Sequence, residues 1–215
     1  MALPYLNAHT GPVFSADGPS SFDVRQANRG ELVVQEAGGK YKEATKRGGV
    51  FSAVTAATGV APGTALGTTA AFCLYNPAGS GKRLCLQKVG MGQISGTMGA
   101  GTVWITGSAA GDAVPTGTAI AVRNRDIGGS NSCVAQAFTT ATVTTTAAKM
   151  IDILATLTEE VVGTTTGPTE VTEKDVDGEI TIEPGNFICI HSTAAAGSSP
   201  LVVFKASWEE EGISS

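Results

Sequence analysis

The sequence predicts an all-β fold, namely a β-sandwich or jelly roll of about eight strands. Charged residues make up only 15% of the 215 residues, and 28 residues are glycine. Residues that favour helices (Leu, Glu and Lys) are scarce, whereas runs of Thr and Ala fill the middle of the chain. From residue 50 onward, short apolar segments alternate with turn signals. Strands are expected near residues 49–54, 69–76, 83–95, 101–107, 118–123, 131–144, 149–157, 179–183, 186–193 and 200–208.

Residues 1–46 are predicted to form an extended N-terminal arm, followed by a body of residues 47–215. Gly, Pro, Asn and Ser interrupt the arm at short intervals, and only residues 31–35 have the pattern of a short strand. Such a segment cannot bury enough apolar surface to fold alone, so it is expected to lie along a partner subunit. The apolar side chains expected to dock there are Leu3, Tyr5, Leu6, Val13, Phe14, Phe22 and Val24.

A glycine-rich turn at residues 76–82 has the outline of a phosphate-binding loop but lacks its required residues. Asn76 replaces the first glycine, and Arg83 replaces the Ser or Thr that would hold Mg²⁺. The residues after Lys82 alternate with a period of two, which is typical of a strand and not of a helix. We therefore predict a β-hairpin with this turn at its tip. One face of its second strand would carry Leu84, Leu86 and the stem of Lys88, and the other would carry Cys85, Gln87 and Val89.

A second tight turn is predicted at Pro184-Gly185-Asn186, between two short apolar segments. The returning strand would place Phe187, Cys189 and His191 on one face, and Ile188 and Ile190 on the other.

Few residues are suited to catalysis or metal binding. The two histidines, His9 and His191, are too few for a jelly-roll metal enzyme, and His191 is expected to be a paired or solvated strand residue. The four cysteines lack Cys-x-x-Cys spacing and are expected to be free and buried. We expect no catalytic residue, no metal and no cofactor. Two alternatives stay open: an acidic pair in a cleft, and a structural calcium ion at residues 175–179.

The net charge of −5 argues against a nucleic-acid partner, and the charges are unevenly distributed. Residues 51–150 hold six Lys/Arg and two Asp/Glu, whereas residues 151–215 hold two and twelve. These regions could meet head to tail between subunits, although acidic residues on solvated loops are the simpler interpretation.

The uncharged runs 48–81 and 89–111 are interrupted by Gly, Thr, Ser and Pro, so no membrane span is expected. No signal peptide is evident at the start, so synthesis in a cytoplasm is expected.

Several motifs occur in a fixed order along residues 47–211. They are Arg47-Gly48-Gly49-Val50-Phe51, Asn76-Pro77-Ala78-Gly79-Ser80-Gly81-Lys82, Glu183-Pro184-Gly185 and Trp208-Glu209-Glu210. In these motifs the chain resembles a group of tailed-phage virion structural proteins. The chain departs from that pattern in its acidic stretch 158–179 and in its last five residues. The resemblance supplies no catalytic residue to transfer.

The resemblance implies a virion component that assembles in the host cytoplasm. The leading hypothesis is a capsid cement or decoration protein, not an enzyme, that forms a homotrimer. Its partners would be the major capsid protein or neighbouring virion proteins, which the arm would bridge. The alternative is a tail or head-fibre component whose loops 108–131 and 158–179 contact a receptor or a glycan. A virion-associated hydrolase is the third hypothesis, which would require a carboxylate pair in a cleft.

Overall fold

The computed structural model describes residues 8–9, 24–25, 39–109, 111–143, 149–157, 172–194 and 198–213. The chain divides into two units, Met1–Lys42 and Glu43–Ser215. In the first unit, strands β1 (Ala8–His9) and β2 (Val24–Arg25) pair in parallel. The strand predicted at residues 31–35 lies outside the described residues.

Beyond the first unit, the described part of the chain is almost entirely β-structure. A short helix, α1 (Lys42–Lys46), spans the division between the units. Twelve strands follow in that part of the chain: β3 (Val50–Val54), β4 (Thr69–Tyr75), β5 (Lys82–Ser95), β6 (Gly101–Gly107), β7 (Thr116–Ile120), β8 (Val122–Asn124), β9 (Gln136–Thr142), β10 (Lys149–Leu157), β11 (Thr172–Asp175), β12 (Thr181–Ile182), β13 (Phe187–Ser192) and β14 (Leu201–Gly212).

These strands form two antiparallel sheets. The β13 sheet has the order β10-β6-β13-β4-β9-β7. The β14 sheet has the order β11-β5-β14-β3-β8, and β12 pairs with β5 beside that path. The all-β prediction is therefore confirmed, and two antiparallel sheets are compatible with a β-sandwich.

One hydrophobic core is shared by the two sheets. The β14 sheet contributes Leu86, Phe204 and Trp208, and the β13 sheet contributes Phe72 and Ile190; all five are fully buried. Full burial of one such side chain stabilises the fold by roughly 1.5–3 kcal/mol. The alternation of apolar residues that predicted these strands also orients them, because every second residue faces this core.

The sheets contain more strands than the eight or so that were expected. The segment predicted at 118–123 divides into β7 and β8, which belong to different sheets. The predicted acidic loop contains a further strand, β11, at the edge of the β14 sheet. Its sequence, Thr-Glu-Lys-Asp, lacks the apolar residues by which a strand is recognised. An edge strand can expose both of its faces and therefore does not need them.

The hairpin predicted around residues 76–82 is wrong, because β4 and β5 lie in different sheets. The turn instead carries the chain from the β13 sheet to the β14 sheet. The buried Asn76 amide holds it there: Nδ2 donates to Lys82 O at 2.7 Å and to Ile182 O at 2.8 Å, and Oδ1 accepts from Ser80 Oγ at 2.7 Å. A local hairpin and a crossing between sheets share the same turn residues, so the pattern did not separate them.

The turn at residues 184–186 crosses between the sheets in the opposite direction, from β12 to β13. It pairs with the first crossing, since Asn76 N donates to Asn186 O at 2.9 Å and Gly185 N donates to Asn76 O at 2.8 Å. The predicted faces of β13 are confirmed. Ile188 and Ile190 belong to the shared core, whereas Phe187 and Cys189 pack in a second cluster with residues of β4 and β9.

The prediction of which β5 side chains lie on which face of the sheet is wrong beyond Leu86. Trp208 pairs with Leu86 and Ser207 pairs with Lys88, which leaves Gln87 as an extra residue in β5. This β-bulge reverses the facing of the residues that follow it. Val89 consequently joins Leu86 in the core, and Lys88 lies on the outer face of the β14 sheet.

Candidate functional site

The predicted docking residues of the arm lie outside the part of the chain whose side chains are described. They are Leu3, Tyr5, Leu6, Val13, Phe14, Phe22 and Val24. For Val24 the backbone alone is described, in β2, where it pairs with Ala8. The docking role of these residues stays a prediction.

His191 is a buried, hydrogen-bonded residue of β13. Its Nε2 lies 3.2 Å from Gly67 O and its Nδ1 lies 2.9 Å from Thr106 Oγ1. The carbonyl of Gly67 can only accept, so Nε2 carries the proton and Nδ1 accepts from the Thr106 hydroxyl. Burial lowers the pKa of His191, although the Gly67 carbonyl partly opposes this effect. The prediction of a paired strand residue is confirmed.

All four cysteines are free, and two of them face each other. Cys73 and Cys189 are buried partners across β4 and β13, and burial raises the pKa of Cys189 well above its ordinary value. Cys85 and Cys133 are half-buried. Burial also raises the pKa of Cys85, to about 11. Thiols held protonated in this way are weak nucleophiles.

The acidic residues were the basis of the two open alternatives, a carboxylate pair in a cleft and a calcium site at residues 175–179. Asp175 pairs with Lys88 at 2.6 Å, and the turn that follows Asp175 is bonded to the bulge, with Val176 N and Asp177 N donating to Gln87 O. Burial and the neighbouring Glu211 raise the pKa of Glu209. Among the described residues, no group of three or more His, Cys, Asp and Glu side chains is placed to hold a metal ion.

The motif at residues 47–51 has a structural role at the end of α1. Gly48 N donates to Thr45 O at 2.8 Å and Gly49 N donates to Ala44 O at 3.2 Å, which is the Schellman pattern. Gly48 has φ +69°, and a Cβ there would lie 2.2 Å from Asn131 Nδ2. Glycine is therefore required both by the backbone conformation and by the packing.

The motif at residues 208–210 also has a structural role. The Trp208 indole is fully buried in the shared core. The Glu210 carboxylate accepts from Val134 N at 2.9 Å, from Ala135 N at 3.0 Å and from Cys133 Sγ at 2.8 Å. This carboxylate thus fixes the loop that precedes β9 against the end of β14.

The outer face of the β14 sheet carries a groove of about 750 Å³. A cross-strand row forms its floor, in which Lys88 pairs with Ser207, Ser207 with Ser52, and Ser52 with Arg123. Lys205 and Val54 pair in the neighbouring row, and the loop 125–129 forms a wall that includes Arg125 and the fully exposed Ile127. The remaining lining residues are Asn124, Asp126, Gly128, Gly129 and Ala206.

The cations of the groove fall into two pairs. Lys88 pairs with Glu173 at 3.0 Å as well as with Asp175, and Lys205 also pairs with Glu173. Arg123 and Arg125 make no ion pair with any residue that the structure describes. The carboxylates of β11 therefore neutralise one half of the groove, and the other half holds two guanidinium groups without an ion-pair partner among the described residues.

A buried hydroxyl group lies at the centre of the groove floor. Ser207 is only 4% exposed, and its Oγ has no hydrogen-bond partner among the residues that the structure describes. Leaving a buried hydroxyl unsatisfied costs about 1–3 kcal/mol, so such groups are uncommon. Sequence reasoning missed this groove because the bulge at Gln87, which places Lys88 beside Ser207, has no signature in the sequence.

The strand at one end of the described β13 sheet carries exposed apolar side chains. β10 pairs with β6 and lies at the end of the described strand order. Its residues Met150, Ile151 and Ile153 are 56%, 50% and 44% exposed. Lys174 of β11 contacts this strand, since its Nζ donates to Asp152 Oδ1 at 2.6 Å and to Ile153 O at 3.2 Å. The exposed apolar side chains beside this contact are typical of a surface that another segment or chain covers.

No family model, no curated protein and no solved structure matches this chain. Within the described ranges, no helix has the length and apolar character needed to cross a bilayer. The described part of the chain is an all-β fold with exposed apolar side chains on β10 and a cationic groove.

Proposed function

We propose that the protein is a structural component of a tailed-phage virion, and that it acts as a cement or decoration protein on the capsid shell. The motifs of residues 47–211 support this proposal by their resemblance to virion proteins. The mode of action is binding and not catalysis. Its partners are the major capsid protein, neighbouring virion proteins and further copies of the same chain.

The apolar edge of β10 is the observation that carries the proposal. Three large, exposed apolar side chains on the terminal strand of the described sheet favour association with other chains. In a homotrimer, this edge would be covered by a neighbouring subunit. The body would then form a jelly-roll knob of the kind that decoration proteins present on a shell.

In this proposal, the arm binds the protein to the capsid shell. An arm that buries about 1,000 Å² of apolar surface between coat subunits would contribute several kcal/mol per copy after the cost of ordering it. Many copies together would stabilise the shell against internal pressure. The apolar residues of the arm, from Leu3 to Val24, are the anchors.

Deletion of residues 1–38 tests the proposal, because this deletion leaves α1 and its Schellman pattern intact. The truncated protein should keep the circular dichroism spectrum of the β-body and lose co-sedimentation with capsids that lack the native protein. A truncated protein that still binds capsids contradicts a docking role of the arm. A full-length protein that fails to bind capsids contradicts the cement function itself.

A tail or head-fibre role is the second candidate. The groove favours it, since Arg123, Arg125 and Ile127 belong to the segment 108–131 that was expected to contact a receptor. In that case the arm would attach to the tail, and only a few copies would be present in each particle. Copy number separates the two candidates.

A further inference from the structure

We propose that the groove on the outer face of the β14 sheet binds an extended, carboxylate-bearing peptide segment of a partner protein. The unpaired guanidinium groups of Arg123 and Arg125 would hold the carboxylates, and the Ser207 hydroxyl would donate to one of them. This assignment is independent of the virion role, because it rests on the groove alone.

In the other half of the groove, carboxylates of an extended segment of the same chain already pair with cations. β11 is an extended segment, and its carboxylates at Glu173 and Asp175 hold Lys88 and Lys205. The same spacing of side chains on an extended ligand would bring acidic groups to Arg123 and Arg125. Guanidinium groups favour carboxylates because they donate two parallel hydrogen bonds.

The unsatisfied Ser207 hydroxyl is an independent sign of a ligand. It lies in the floor between Lys88 and Ser52, and no described protein group accepts its proton. A bound carboxylate would accept that proton and remove the cost of the buried polar group. The hydroxyl is thus placed to contribute to binding and not to the folding of the free chain.

The dimensions of the surface favour a peptide over a single small anion. The groove of about 750 Å³ shares Lys205 with a smaller depression of about 280 Å³, which is lined by Gly90, Met91, Gly92, Gln93, Ile94 and Val203. A cationic depression beside a largely apolar one suits a segment that contains both acidic and apolar residues. No aromatic side chain lines either depression, and a sugar ring would lack its usual stacking partner.

Nucleic acid is a poor fit for the same surface. The carboxylates of Glu173 and Asp175 lie beside Lys88, and Asp126 lines the opposite wall. A phosphodiester chain that followed the groove would pass these acidic groups and be repelled by them. A peptide can place neutral residues at those positions.

The test is calorimetric titration of the full-length protein with a short synthetic peptide of alternating glutamate and valine. Substitutions R123Q and R125Q should each weaken binding by about tenfold. S207A should weaken binding several-fold without lowering the melting temperature. E173Q should strengthen binding, because it removes the ion-pair partner of Lys205 and leaves Lys88 with Asp175 alone.

The control is K149Q, which makes the same change in charge at an exposed position of the β13 sheet. Its affinity should stay within about twofold of that of the wild type, since surface charges more than a Debye length away are screened. Equal binding by R123Q and K149Q would overturn the proposal, as would an absence of binding by the wild type. Tighter binding of a uronate oligosaccharide than of the peptide would also overturn it.

Discussion

At the scale of single residues, Asn76 joins the two crossings between the sheets. Its side chain contacts the ends of two crossings between the sheets, and its backbone pairs with Gly185 and Asn186 of the second turn. The sequence predicted a turn here, because Asn-Pro and Gly-Ser-Gly are strong turn signals. It could not predict the partner Ile182, which lies 106 residues away.

Asn76→Ala is expected to lower the free energy of unfolding by about 3 kcal/mol, because the buried Ile182 carbonyl and the partly buried Lys82 carbonyl each lose the Asn76 amide as a donor. Ser80→Ala removes only one contact of the same amide and is the matched control, with an expected loss below about 1 kcal/mol. Urea denaturation followed by tryptophan fluorescence measures both. Equal losses in the two variants would show that the Asn76 amide does not hold the crossings.

His191 gives the protein a predicted pH dependence. Because burial lowers the pKa of His191 in the folded state, the unfolded chain binds a proton first as the pH falls. Stability should therefore decrease as the pH falls below about 6.5, the ordinary value for histidine. His191→Gln should reduce this decrease between pH 7 and 5, as measured by melting temperature. An unchanged pH profile in the variant would contradict the assignment.

At the scale of secondary-structure elements, the bulge in β5 and the strand β11 together create the groove. Alternation of apolar residues predicted the position of β5, since Leu84 and Leu86 mark one face clearly. It gave the wrong facing for Lys88, because a single extra residue reverses every later side chain. β11 was not predicted because it is an edge strand that is held by backbone pairing with β5 and has no apolar face.

The ion pairs of β11 should contribute modestly to stability. Lys205 and Lys88 lower the pKa of Glu173 below its ordinary value. The carboxylate therefore stabilises the fold at neutral pH, and this contribution is lost as the pH falls below about 4.5. Glu173→Gln should cost less than about 1 kcal/mol, since all partners are partly exposed, and the loss should shrink in high salt. A loss independent of salt concentration would contradict this explanation.

Two glycines with positive φ can be compared: Gly48 at the end of α1 and Gly79 in the turn at residues 76–82. Gly48→Ala should destabilise the protein by more than about 2 kcal/mol, because it combines a left-handed backbone with displacement of Asn131. Gly79 has φ +73° but no atom near its Cβ position, so Gly79→Ala should cost only about 1 kcal/mol. Chemical denaturation compares them. A similar cost for both would mean that Asn131 moves aside freely.

At the scale of the whole molecule, composition and the alternation of short apolar segments with turn signals predicted the fold class, because low charge and abundant Gly, Thr and Ala favour strands joined by turns. The pairing of strands was not predictable in the same way. Both tight turns connect different sheets, and the segment predicted at 118–123 contributes to both sheets. The exposure of the β10 side chains was not predictable either, since Met150, Ile151 and Ile153 are residue types typical of a buried strand.

The most direct test of the proposed function is the copy number of the protein in purified phage particles that carry its gene. Quantitative mass spectrometry would normalise its abundance to that of the major capsid protein. A shell-wide cement protein should be present at a copy number comparable to that of the coat. Absence from the particles would contradict the virion assignment, and a few copies per particle would contradict the cement function and support the tail or head-fibre alternative.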